Sequence, residues 1–118
     1  SELAFIADPL EKAVHHGEAT VKLLLEQAAA DPEDMAGGAY AWMQLVGTLA
    51  LGWMWLRLAS VAQAQLAAGE GDASFLQAKL ATARFYAEQI LPQVAALSGP
   101  VTRGAATLYA LSEDDLAA

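Results

Sequence analysis

With 118 residues the chain is long enough for one domain and too short for two ordinary ones, and although 56% of it is apolar, much of that share is alanine, which favours helix without adding bulk. Its formal charge is −8, and the basic residues Lys12, Lys22, Arg57, Lys79, Arg84 and Arg103 stand singly, which argues against nucleic acid, whose phosphates are bound by clustered Lys and Arg. There is no cysteine, which rules out a disulfide framework, a thiolate nucleophile or a thiolate metal site and agrees with a reducing, cytoplasmic setting.

The opening "SELAFIADPLEK" is acidic and lacks the long apolar core of a secretory signal. Because the chain starts on Ser1, it is expected to be a piece of something longer. The segment "DPLEKAVHHGEATVKLLLEQAAA" predicts a first helix over about residues 9–30. Asp8 is placed to cap it, Pro9 suits the first helical position, and Glu11 completes a capping-box spacing. Leu10, Val14, Gly17, Val21, Leu24 and Ala28 recur at steps of three and four, while Glu11, Lys12, Glu18, Lys22 and Glu26 make the wet face.

Asp31 and Pro32 repeat the start signal, Gly37-Gly38 weakens it, and a long second helix is predicted from about Gly38 to Ala68, stopped by "AGEGD". From Met35 to Leu56 this region holds no charge, and about 20 such residues are enough to cross a bilayer. At 100° per residue, Trp42, Val46, Leu49, Trp53 and Leu56 share one side, with Gln44, Thr48 and Trp55 nearly opposite. A helix apolar all round is either a span or the centre of a bundle. The bundle is favoured: the neighbouring helices are amphipathic, the helix turns polar beyond Arg57, and neither end carries a positive cluster. Trp53 and Trp55 then mark a helix contacted on both sides, with Gly47 and Gly52 allowing close approach.

A third helix begins at Asp72 as cap, and its seam is Leu76, Leu80, Ala83, Ala87, Ile90, Val94 and Leu97. Arg84 and Glu88 pair beside it, and Pro92 predicts a kink. "SGP" is expected to end this helix, "VTRGAATLYAL" to form a short fourth, and residues 112–118 to fray as an acidic tail. The fold read from this is an all-α, up-down four-helix bundle occupying residues 1–118 as one domain.

No constellation carries convincing chemistry. His15 and His16 leave a helix about 100° apart, too divergent to share a metal ion. Glu11 with His15 lacks further ligands, and Glu113, Asp114 and Asp115 lack the glycine turn of a cation loop. Glu88, the one acid inside an aromatic run, has Arg84 beside it. "GEGDAS" has glycines but neither the preceding strand nor the lysine of a phosphate loop. The expected catalytic, cofactor-binding and metal residues of this chain are therefore none.

"FLQAKLATARFYAEQILPQVAAL" carries Phe75-Leu76, Ala78-Lys79, Thr82-Ala83-Arg84-Phe85-Tyr86 and Leu91-Pro92. "AYAWMQLVGTLALGWMWLRLA" adds a tyrosine, Gly47, Gly52-Trp53, Arg57 and Ala59, and the chain closes on "GAATLYALSEDDL". In these motifs, over about residues 10–116, the sequence resembles the C-terminal helical domain of a bacterial acyl-CoA dehydrogenase subgroup. These are the larger enzymes of that flavoprotein family, including those acting on methylmercaptopropionyl-CoA. The resemblance implies an upstream α–β–α core that holds FAD and an acyl-CoA substrate, where a glutamate removes the α-proton and hydride passes to the flavin. No residue here matches that glutamate or the flavin-binding motifs, so the chain by itself is expected to be non-catalytic and to bind no FAD.

What the resemblance leaves for this bundle is packing on its own upstream core or on another subunit, in a homo-oligomer without a membrane span. Trp53, Trp55, Arg57, Lys79, Arg84, Phe85 and Tyr86 are the candidate interface residues. Two other readings stay open: a free-standing helical dimerisation module, suggested by the apolar excess, and a membrane-associated helical protein, suggested by the uncharged stretch.

Overall fold

The computed structural model describes residues 2–118, so Ser1 and its reading as a start point lie outside the described residues. In chain order the helices are α1 (Ala4–Ala30), α2 (Pro32–Ala36), α3 (Ala39–Ala68), α4 (Ala73–Phe85), α5 (Gln93–Thr102) and α6 (Glu113–Ala117). A π-helical turn (Tyr86–Ile90) joins α4 to α5, and a 3-10 turn (Ala106–Tyr109) precedes α6. No strand occurs among the described residues, and the all-α bundle expected from the sequence is observed, with α1, α3, α4 and α5 as its long members.

Two of the predicted caps form. Asp31 accepts from the Glu33 amide at 3.0 Å, and Asp72 accepts from the Ser74 and Phe75 amides at 2.9 and 3.4 Å. Gly69, at φ 70°, ends α3 in the left-handed conformation that only glycine adopts cheaply.

The start of α1 differs from expectation: it begins at Ala4, so Asp8 and Pro9 lie inside it. Ile6, fully buried, anchors that additional turn, and burial of such a side chain is worth about 1.5–3 kcal/mol. Nor does "SGP" stop the later helix, since α5 continues through Pro100 to Thr102. Val101 is fully buried there, and the chain leaves the helix only at Gly104, φ 88°, where the Ala105 amide donates to Asp34 at 3.1 Å. The stretch read as a fourth helix is divided between the end of α5 and the 3-10 turn. Most of the acidic tail, expected to fray, forms the short helix α6, because Ser112 and Asp115 cap its first turn.

At Pro92, where a kink is predicted, the structure shows a widened π-helical turn just before the proline. Lacking an amide hydrogen, it cannot continue the i→i−4 ladder, and the turn before it widens so that the Leu91 amide donates to the Tyr86 carbonyl at 3.0 Å. The Gln93 side-chain amide reaches the Gln89 carbonyl at 3.0 Å. Phe85, Tyr86, Leu91 and Pro92 all keep right-handed helical angles, so α4 runs through the widened turn into α5 as one rod.

The rods meet through small residues. On α3, a Cβ at Gly52 would lie 2.8 Å from a Leu91 methyl and 3.0 Å from a Leu10 methyl, and Ala59 and Ala62 are buried beside it. Gly17 of α1 sits against Leu49 and Leu45, which makes α1 and α3 antiparallel. At the α3 start, a Cβ on Gly38 would overlap the Val101 carbonyl. The core is Ile6, Leu10, Leu45, Ala83, Leu91, Val94 and Val101, and its buried Thr20 hydroxyl bonds the His16 carbonyl and the Ser98 hydroxyl, both at 2.7 Å.

The resulting body is a slab with Cα extents of 65 × 33 × 16 Å. Its radius of gyration is 19.2 Å, against about 13–14 Å for a compact domain of this length. Helices pack about 8–10 Å apart, so a 16 Å thickness leaves no room for a further covering layer. Broad helix faces therefore stay open.

Candidate functional site

The broadest open face belongs to α3. Its buried line is Leu45, Gly52, Ala59 and Ala62, flanked by half-buried Leu49, Leu56, Thr48 and Trp55. On the far side Tyr40, Met43, Leu51, Met54, Leu58 and Val61 are all exposed, Tyr40 by 69% and Met43 by 62%. Gly47 lies in the same row, and a Cβ there would meet nothing within 4 Å. At 100° per residue these seven positions fall within an arc of about 80°. In the whole of α3 only Arg57 is charged. The most apolar window of this helix is 22% buried, so α3 is long and apolar enough to cross a membrane by length and composition, and it is a core helix along one side only.

The residues expected at an interface separate into three groups. Trp53 is exposed by 53%, and the Arg57 guanidinium lies 4.9 Å from its ring centroid, so these two form one unit at the edge of the open face. Phe85 is exposed, and beside it Arg84 stacks over Phe5 at 4.4 Å and sits 3.9 Å from Glu88. Lys79 covers the exposed Phe75 ring at 5.1 Å. Trp55 and Tyr86 turn inward. Trp55 packs on the core, and Tyr86, 8% exposed, donates a hydrogen bond from its hydroxyl to the Thr48 carbonyl at 2.6 Å. Burial pushes the Tyr86 hydroxyl above the ordinary tyrosine pKa, and its place is the α3–α4 contact. The opposition of Trp53 and Trp55 therefore separates one open from one covered direction within this chain.

Of the open row on α3, the sequence motifs single out Tyr40 and Gly47 and leave the other members unmarked. Its signal is present there, as steps of three and four through Tyr40, Met43, Gly47, Leu51, Met54, Leu58 and Val61, but an equally regular row runs through Trp42, Leu49 and Leu56. Where every side of a helix is apolar, polarity cannot choose between rows.

Elsewhere the surface offers little to a small molecule. His15 stands 3.5 Å from Glu18 and 3.9 Å from Glu11, all three exposed. Among the described residues no group of three or more His, Asp or Glu side chains could hold a metal ion. A groove of about 520 Å³ between α1 and the π-helical turn has a floor of Ala13, Ala87 and Leu91 and a rim of Asp8, Lys12, His16 and Glu88. Two carboxylates and one lysine make a poor cradle for phosphate. The one buried side-chain polar atom without a hydrogen-bond partner among the described residues, Gln27 Oε1, does not line it.

The comparison with known families addresses what such a slab belongs to. A family model described as "Acetyl-CoA dehydrogenase C-terminal like" matches residues 1–112. The chain belongs to that family. It is also 40% identical, over 97 residues, to a 3-methylmercaptopropionyl-CoA dehydrogenase of Ruegeria pomeroyi, an alignment covering 82% of this chain and 16% of that protein. The resemblance read in the motifs around Arg84-Phe85-Tyr86 and Gly52-Trp53 is thereby established. The family's description refers to a C-terminal region, and the chain spans only 16% of its relative's length.

Proposed function

We propose that this chain is the C-terminal structural domain of an FAD-dependent acyl-CoA dehydrogenase, and that it serves assembly rather than chemistry. The observation that carries the reading is the uncharged open face of α3, in a chain of this family. A slab that leaves a row of large apolar residues in water is incomplete, because contiguous exposed apolar patches of several hundred Å² mark interaction sites.

The residues present do not fit FAD or CoA. Both are polyanions, and three of the six basic side chains already lie over aromatic rings: Arg57 over Trp53, Lys79 over Phe75 and Arg84 over Phe5. The formal charge of −8 opposes such ligands further. Flavin and substrate therefore belong to the upstream core, and this domain contributes position. The test is expression of the full-length protein. It should copurify with FAD and reduce an electron acceptor in the presence of an acyl-CoA thioester. A colourless protein without turnover on any acyl-CoA rejects the reading.

A second reading, association with a lipid surface, draws on the length and apolarity of α3. It is the weaker of the two, because anionic membranes attract Lys and Arg and α3 has one basic residue, already engaged with Trp53. Recovery of the protein in the soluble fraction without detergent, with no binding to vesicles, rejects it.

A further inference from the structure

We propose that the open face of α3 pairs with the same face of a second copy of this chain, the two helices running antiparallel about a two-fold axis near Ala50 and Leu51. The inference deepens the assembly role proposed above by naming the partner, and it rests on that role only for the biological setting.

Self-complementarity is what a two-fold contact demands, since the same patch must serve both sides. The row on α3 meets that demand in its spacing. Reversed about the point between residues 50 and 51, Tyr40 exchanges with Val61, Met43 with Leu58, and Gly47 with Met54. In an antiparallel pair, Tyr40 of one copy then faces Val61 of the other, and Leu51 lies almost on the axis beside Ala50. Steps of three and four are the spacing by which two helices keep one seam together.

Sizes match as well as positions. Gly47 has open space where a side chain would be, and the reversal sets Met54 against it. Methionine is the side chain best able to fill an irregular notch. The exchange happens twice, once on each side of the axis. By contrast Gly52, on the covered side, is already filled by Leu91 and Leu10.

Charge permits a second copy. A body of charge −8 repels its own kind, and two copies meet at least cost where acidic residues are absent. Asp and Glu are missing from α3 altogether, and its single charge, Arg57, lies over Trp53. The acidic residues are on and beside α1 and α2, in the α3–α4 turn, in the π-helical turn and in the C-terminal segment. The row brings six large exposed side chains to such a contact, Tyr40 exposed by 69% and Met43 by 62%.

The experiment uses both this chain and the full-length protein that carries it. Sedimentation should find the chain as a concentration-dependent dimer. Leu51→Asp and Met54→Asp, both on the open face, should each weaken the association about tenfold or more while leaving helix content unchanged. The chain has no cysteine, so Leu51→Cys introduces a single thiol near the axis. Mild oxidation should join two copies through it, because a disulfide needs Cα atoms within about 7 Å. Leu25→Cys, more exposed than position 51 but on α1, should stay unjoined. In the full-length protein carrying Leu51→Cys, peptide mapping after oxidation should recover the peptide that spans this position disulfide-linked to its own copy.

A chain that remains monomeric at every concentration overturns the pairing. So do aspartate variants that dimerise like the parent, or cross-linking through position 25 as readily as through 51. If the wild-type chain is instead captured by phosphatidylglycerol vesicles and the aspartate variants are not, the face belongs to lipid and the pairing is wrong. Flavin content and acyl-CoA turnover of the full-length protein report on the enzyme assignment separately, so either idea can fail alone.

Discussion

The two long faces of α3 are both apolar, and they differ in size. The covered one is lined by Leu45, Gly52, Ala59 and Ala62, small apart from the leucine, and Leu10 and Leu91 come close to it at Gly52. The open one presents Tyr40, Met43, Leu51, Met54, Leu58 and Val61. Small residues let helix axes approach, so the covered face binds by backbone proximity and the side chains of Leu10 and Leu91 fill the gap at Gly52. Large residues on the open face keep their payload in water, about 1.5–3 kcal/mol per side chain on full burial. The difference separates a fold-forming face from an assembly-forming face on one helix.

The sharpest way to break that comparison is to truncate one leucine on each face. Leu45→Ala, on the fully buried side, should cost about 2–5 kcal/mol of unfolding free energy. Leu51→Ala, on the open side, should stay within about 0.5 kcal/mol in the monomer and act on association instead. Denaturant titration at low protein concentration reads both. Equal losses would mean that the open face is part of the folding core. Next in size is Gly38→Ala at the helix start, where the added methyl overlaps the Val101 carbonyl and the backbone must shift. Overpacking of this kind costs about 1–3 kcal/mol, and a neutral result would show that the α3–α5 junction is loose.

How far the sequence reveals these faces depends on the residue asked. Local chemistry is legible: Asp31 and Asp72 cap helices, Gly69 ends one, and Pro92 disturbs the turn before it. The Leu76–Leu97 seam is legible as well, because α4 and α5 have polar positions that contrast with it, and every member is buried or half-buried. What failed is the choice among competing local signals or competing apolar rows. Asp8 and Pro9 form a good start signal, yet burial of Ile6 outweighs it. Within α3 the true buried line, Leu45–Gly52–Ala59, runs between the two sides read as opposed, since Leu49 and Leu56 flank it on one side and Thr48 and Trp55 on the other. Of the interface candidates, Trp53, Arg57, Arg84 and Phe85 are on the surface, whereas Tyr86 is held inside by a hydrogen bond that no local pattern announces.

That hydrogen bond gives the next test of the covered face. Tyr86→Phe removes the donor to the Thr48 carbonyl and should cost about 1 kcal/mol. The pH dependence is predictable too. Burial raises the folded-state pKa, so the tyrosine's contribution is whole below the ordinary value of about 10 and is lost as pH rises from there through the folded value. Wild type should therefore lose stability in that alkaline window faster than Tyr86→Phe. Parallel curves would mean that the hydroxyl is solvated. The cap of α4 comes next: Asp72→Ala should cost about 1 kcal/mol, read by amide exchange at Ser74 and Phe75.

The smallest effect is expected where neither face of α3 is involved. Ser112 and Asp115 cap α6 reciprocally: the Asp115 carboxylate accepts from the Ser112 amide and hydroxyl, both at 2.9 Å, and the Asp115 amide donates to the Ser112 hydroxyl at 3.2 Å. These bonds favour the ionised form and hold the Asp115 pKa below the usual carboxylate value. A depressed folded-state pKa places the benefit at pH above the unfolded value, about 4, and removes it as pH falls through the folded one. Amide exchange over Glu113–Ala117 should therefore stay slow to more acidic pH than an uncapped segment would, and Ser112→Ala should abolish that protection. Every side chain of α6 is exposed, so global unfolding and dimer affinity should not change in the same titration. If they follow the α6 signal, this segment is coupled to the slab, and the division of labour between the two faces of α3 is incomplete without it.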